Sequence, residues 1–177
     1  MKRNHLYLFV IALSFFFTSC IKNEGVVFKD KLYVEFDATV LNTPLTGQAY
    51  PMLTRVPTYG AAVTTANPSI TRTSGTIKFR VNLVGAQQST DQVIKFKAVS
   101  GATIPTTAAQ ADAGTHYSIT GNVTIPANKS FGEVEITVIN PGVSSTTPRA
   151  FVIELEGNGT VLPSENYKRL GIQIAQN

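Results

Sequence analysis

With 177 residues, 43% of them hydrophobic and 15% charged, the chain has enough apolar material for one packed domain and too little charge for a disordered tail. Its formal charge of +4 is carried with no basic tract, no run of Lys and Arg exceeding the pairs Lys2-Arg3 and Lys168-Arg169, which argues against a nucleic-acid partner, because phosphate binding needs clustered cations. The single cysteine excludes an intrachain disulfide.

Residues 1–20 read MKRNHLYLFVIALSFFFTSC. Lys2 and Arg3 precede an apolar run, Leu6 to Phe17, interrupted only by Ser14. That run is shorter than the about 20 residues a helix needs to cross hydrocarbon, and it has the length of a signal-peptide core. Its ending, Phe17-Thr18-Ser19-Cys20, resembles a bacterial lipobox, with Phe17 where Leu is usual. The resemblance implies a lipoprotein signal peptide over 1–19, cleaved ahead of a Cys20 that carries diacylglycerol and N-acyl (palmitate-type) chains. Each buried methylene contributes about 0.8 kcal/mol, so such an anchor alone holds a protein on a membrane. Residues 20–30 then form a lipidated tether, and Ile21 in place of aspartate favours the outer membrane by the enterobacterial sorting rule. Without Lys2 and Arg3 the balance is 13 basic to 11 acidic residues.

From residue 31 onward the chain alternates apolar and polar residues with period two. In 31–37, Leu32, Val34 and Phe36 share one face. Residues 38–75 differ: they are rich in Thr, Pro, Ala and Gly, with Arg55 and Arg72 as their charges. The stretch is predicted to be a long loop that carries recognition without being required for the fold, or to hide an edge strand at 48–56. Alternation resumes at 76–84 with Ile77, Phe79, Val81 and Leu83 inward, and at 93–99 with Ile94, Phe96 and Ala98 inward. Residues 106–114, TTAAQADAG, have room for one helical turn at most. Tyr117, Ile119, Val123 and Ile125 alternate through 117–125, with Gly121 marking a bulge or bend. Pro126 to Lys129 supply turn chemistry, and 131–139, 150–156 and 170–174 complete the set, with Val152, Glu154 and Glu156 outward on the penultimate strand.

Seven such strands predict an all-β, immunoglobulin-like sandwich of two sheets over 31–177, with a partly closed barrel as the alternative. The outward faces of 76–84 and 93–99 are basic and those of 131–139 and 150–156 acidic. Opposite charges across strands are favoured by roughly 0.2–1 kcal/mol, so the second strand is expected beside the fifth and the third beside the sixth.

The run GTHYSITGNVTIPANKSFGEVEITVIN, followed by AFVIELEGNG and KRLGIQIA, resembles the calx-beta repeat. It is more similar still to small domains of unknown function in surface lipoproteins of Bacteroidota, often encoded beside starch-utilisation-type transporters. Calcium-binding calx-beta domains carry clustered acidic residues in end loops. Asn140-Pro141-Gly142 and the terminal Ala175-Gln176-Asn177 stand there instead, so no calx-type calcium site and no cofactor are expected.

Catalysis is not expected either. Past the signal, histidine is limited to His116, which reads as a loop residue before a buried Tyr117, although Asp112 and Ser118 are close in sequence. Glycosidases use two carboxylates about 5–10 Å apart, but Glu133/Glu135 and Glu154/Glu156 oppose basic strands as a solvated face does. The candidate binding residues are Tyr50, Tyr59 and Tyr167, which are suited to stacking on a sugar in a chain without Trp, together with Arg55. Three Asn-x-Ser/Thr triplets are read as chance. The functional expectation is a non-enzymatic outer-membrane lipoprotein that serves as an accessory subunit of a barrel or transporter complex. The alternative is a glycan- or peptide-binding surface module.

Overall fold

The computed structural model describes residues 31–37, 47–58 and 60–177, so the signal, Cys20, the tether and Tyr59 lie outside the described residues. Eleven strands are present among the described residues: β1 (Leu32–Phe36), β2 (Met52–Leu53), β3 (Thr76–Val84), β4 (Gln92–Ala98), β5 (Ala109–Gln110), β6 (Tyr117–Ile119), β7 (Asn122–Ile125), β8 (Phe131–Val138), β9 (Arg149–Gly157), β10 (Val161–Pro163) and β11 (Arg169–Ile174). One sheet has the order β10-β1-β3-β8-β6, and the other has the order β2-β11-β9-β4-β7 with β5 beside β9. The residues that the alternation turns inward, such as Phe36, Ile77, Ile94, Ile136, Ile153 and Ile172, are buried in one shared core between the sheets.

The pairing of β3 with β8 and of β4 with β9 is the immunoglobulin order expected from the charges. Lys78 lies opposite Glu135 and Arg80 opposite Glu133. Lys78 and Glu135 form an ion pair, and Lys97 Nζ lies 2.6 Å from Glu156. These exposed pairs help to choose partners more than they stabilise the fold.

Several expectations need correction. Residues 117–125 are two strands: β6 belongs to the first sheet and β7 to the second, and the chain changes sheets at Gly121, whose φ of +79° favours glycine. The change closes that side of the sandwich so tightly that a Cβ on Gly132 of β8 would sit 2.4 Å from the Thr124 carbonyl oxygen. Residues 106–114 hold the short strand β5 and no helix, within the limit of one helical turn that their composition set.

The 38–75 stretch supplies edge strand β2, parallel to β11. It is also part of the core, since Leu53 is 2% and Ile70 0% exposed; this corrects the expectation that the fold can dispense with it. Val152, expected outward, is fully buried. With Tyr50, Met52 and Ala150 it forms a second apolar cluster, covered by Val99, Ala102, Ile104 and Ala108 from the connection after β4. That covering strap carries no periodic signal of its own.

Candidate functional site

β3 is a central strand, hydrogen-bonded to β1 on one side and to β8 on the other. Its outward side chains include Lys78 and Arg80, and Glu133 on β8 stands directly across from Arg80. The chain between β2 and β3 folds back on itself. The Val56 N–H donates to the Pro68 carbonyl (2.8 Å), and the Ile70 N–H donates to the Thr54 carbonyl (2.9 Å).

Asn67 ties this loop together. Its Nδ2 donates to the Val56 carbonyl (3.0 Å) and to Thr58 Oγ1 (2.9 Å), while its Oδ1 accepts from the Thr64 N–H (2.9 Å). Arg55 Nη1 donates to the Asn67 carbonyl at 2.5 Å. The loop thereby holds Val56, Pro57, Thr58 and Gly60 beside β3. A Cβ on Gly60 would lie 3.2 Å from Arg80 Nη2, so glycine allows this approach.

Between the loop and the sheet opens a cleft of about 300 Å³, lined by Val56, Pro57, Thr58 and Gly60 on one side and by Thr76, Lys78, Arg80 and Glu133 among the residues on the other. Arg80 is held in place by stacking, with its guanidinium carbon 4.2 Å from the Phe131 ring centroid. Lys78 is raised above the ordinary lysine range by its hydrogen bond to Glu135 and by the charges of Glu135 and Glu133. A second hollow, of about 310 Å³, is lined by Ala49, Tyr50, Glu165, Asn166, Lys168 and Arg169. Its charges pair among neighbours, Lys168 with Glu165 at 2.7 Å and Arg169 with Glu154 at 2.5 Å.

The four binding residues expected from sequence do not form one site. Tyr50 is 6% exposed, its hydroxyl donates to the Thr103 carbonyl, and its ring lies over Gly171, so it packs rather than offering an open platform. Burial raises its phenol above the ordinary range, against the opposing charge of Arg169. Arg55 braces the cleft loop and is not among the cleft-lining residues. Tyr167 is half-buried in the loop whose neighbouring residues line the second hollow, and its carbonyl accepts the Phe36 N–H at 2.9 Å. Tyr59 lies outside the described residues, although Thr58 and Gly60 on either side of it both line the cleft.

Sequence reading missed Lys78, Arg80 and Glu133 as site residues because an alternating charged strand looks like solvated surface. It missed Asn67 because no local pattern marks an asparagine that closes a loop.

His116 is buried and closes a turn. Its Nδ1 accepts the Asp112 N–H at 3.0 Å, and its carbonyl accepts the Ile139 N–H at 2.9 Å. Tyr117 stacks on Phe151 with ring centroids 3.6 Å apart. In the loop after β8, Asn140 Oδ1 accepts from Arg72 Nη1 and from the Gly142 N–H, each at 2.9 Å. Among the described residues, no three His, Cys, Asp or Glu side chains gather as metal ligands.

No protein-family model and no curated protein matches the chain. Among solved structures it superposes on the apo-form Calx CBD1 domain with a TM-score of 0.52 at 14% identity, covering 84% of this chain and 99% of that one. The fold is a calx-beta-like immunoglobulin sandwich. A two-domain protein with unknown function from Bacteroides fragilis matches at TM-score 0.50 and 9% identity, over 82% of this chain. A Bacteroides ovatus protein of unknown function matches at TM-score 0.52 and 9% identity, over 83%. The chain spans about half the length of these two, 45% and 52%. At such identities the likeness is one of fold.

Proposed function

We propose that the chain is a non-enzymatic surface module, held on the outer membrane through a lipidated Cys20, that captures a small polar ligand in the cleft that Val56, Pro57, Thr58 and Gly60 form with β3. The observation that carries this reading is the cleft itself. It is concave, and an apolar wall of Val56 and Pro57 faces Lys78, Arg80 and Glu133. Ligand sites combine apolar walls with a few convergent polar groups in this way, and about 300 Å³ is the lower end of their usual size.

The accessory-subunit reading finds less support. Docking onto a barrel or transporter would use a contiguous apolar patch. The exposed large hydrophobic residues among those described are Val93, Val143 and Leu162, which sit on β4, on the β8–β9 connection and on β10. For catalysis, His116 would have to leave its turn.

A ligand-observed NMR screen of oligosaccharides and short peptides against the full chain, repeated with Thr76→Trp to fill the cleft, tests the reading. Binding to the native chain and its loss in the filled variant are expected. Hits that survive the filling would contradict the cleft, and an absence of hits alongside stable co-purification with a barrel protein would favour the docking reading.

A further inference from the structure

We propose that Asn158–Gly159 is a latent deamidation site, a place where the chain can modify itself covalently, and that Gln92 of β4 holds the asparagine amide away from the reaction.

Asn158 and Gly159 lie in the exposed turn between β9 and β10. Gly159 has a φ of +90°, which side chains strongly disfavour, so the turn calls for glycine there. The turn also uses the asparagine before it. Asn158 Oδ1 accepts the Thr160 N–H at 3.1 Å and the Val161 N–H at 2.8 Å. Together these demands place an Asn-Gly pair, which occurs nowhere else in the sequence. Asn67 and Asn140, by contrast, precede proline, which has no N–H to lose.

Glycine leaves the following backbone nitrogen unshielded. Once that nitrogen has given its proton to hydroxide, it can attack Asn158 Cγ and close a five-membered succinimide, while Nδ2 takes a proton from water and leaves as ammonia. Water then opens the ring at one of its two carbonyls, giving aspartate or isoaspartate. The net change is one water taken up and one ammonia released.

Attack requires the Gly159 nitrogen over the face of the amide, in near contact with Cγ. The fold ties the amide at both ends. Asn158 Nδ2 donates to Gln92 Oε1 at 3.1 Å, and Gln92 is oriented in turn by its Nε2, which donates to the Thr90 carbonyl at 3.1 Å and to Thr90 Oγ1 at 3.2 Å. Turning the amide toward Gly159 therefore breaks three hydrogen bonds. The consequence of conversion reaches the edge of the first sheet. The Asn158 N–H donates to the Val161 carbonyl at 3.1 Å, and Val161 begins β10, which pairs with β1 at Leu32. An isoaspartate adds a backbone carbon at residue 158, which displaces this turn and loosens the pairing of β10 with β1.

The test follows conversion at Asn158 by peptide mass spectrometry while the full chain is held in detergent micelles at mildly alkaline pH, with the same chain in urea as the unprotected reference. Native Asn158 should convert more than about tenfold more slowly than in urea. Gln92→Ala should speed the native reaction about three- to tenfold, the scale of one lost hydrogen bond, and Gln92→Glu, which keeps an acceptor oxygen, should return it toward the native rate. Hydrogen exchange at the Ile94 amide of β4 should stay unchanged in both variants. Conversion as fast in the native chain as in urea would overturn the protection, and an unchanged rate in Gln92→Ala would overturn the role of Gln92. Acceleration of Ile94 exchange in step with conversion would show a general loosening of β4 and overturn that role as well.

Discussion

Lys78 on β3 and Glu135 on β8 face each other in register and form an ion pair across the centre of the first sheet, and Lys97 and Glu156 form its counterpart in the second. Pairing raises both lysines above their ordinary range, chiefly through the hydrogen bond to the carboxylate. Burial raises the phenols of Tyr50 and Tyr117, with the Asp112 charge adding to the effect at Tyr117. All four groups hold their proton more tightly when folded. Their contributions are therefore complete at neutral pH and are lost as pH rises through the folded-state values, above the ordinary phenol and lysine range of about 10. The melting temperature should be flat from pH 7 to about pH 9 on account of these groups and fall beyond about pH 10. Tyr117→Phe should make the fall shallower, and an unchanged alkaline limb in that variant would remove Tyr117 from the explanation.

Gly171 on β11 should tolerate no side chain. A Cβ there would lie 1.9 Å from Met52 Sδ and 3.0 Å from the Tyr50 ring, so β2 and Tyr50 can cover this face only because the position is glycine. Gly171→Ala should destabilise by about 1–3 kcal/mol through overpacking, measured by chemical denaturation. An unaltered midpoint would mean that Met52 is free to move aside.

Leu53 and Ile70 should behave as core residues even though they lie in a stretch of loop-like composition. Both are essentially fully buried, so each truncation to Ala should cost about 2–5 kcal/mol. A loss below about 1 kcal/mol at both positions would restore the view that the segment is dispensable.

Asn67→Ala should loosen the cleft wall without unfolding the sandwich. It removes the bonds to Val56, Thr58 and Thr64, a net loss of about 1–3 kcal/mol, and hydrogen exchange at the Val56 amide should speed up while that at Val134 on β8 does not. Equal acceleration at both amides would show that Asn67 acts on the whole domain and not on the loop.

Cys20→Ala should abolish labelling by radioactive palmitate and leave an uncut precursor, because the chain offers no other thiol. Undiminished labelling of the variant would end the lipid-anchor reading.

The strands were legible where period two runs for several residues, as at Ile77, Phe79, Val81 and Leu83, because alternation records burial on one side directly. Strands β2, β5 and β10 have two or three residues each, too few for a period. Val152 was misplaced because its cover, from Val99 to Ala108, is irregular chain. The site was hidden for a related reason. Lys78, Arg80 and Glu133 read as surface until the loop closed by Asn67 is placed over them, and that placement is a tertiary fact.

The location of the ligand site is tested most directly by a crystal structure of the full chain with the tightest-binding oligosaccharide from the screen. The sugar should lie between Pro57 and β3, within hydrogen-bond reach of Lys78 and Glu133. A sugar bound instead in the hollow between Tyr50 and Arg169, with the cleft left empty, would contradict the account.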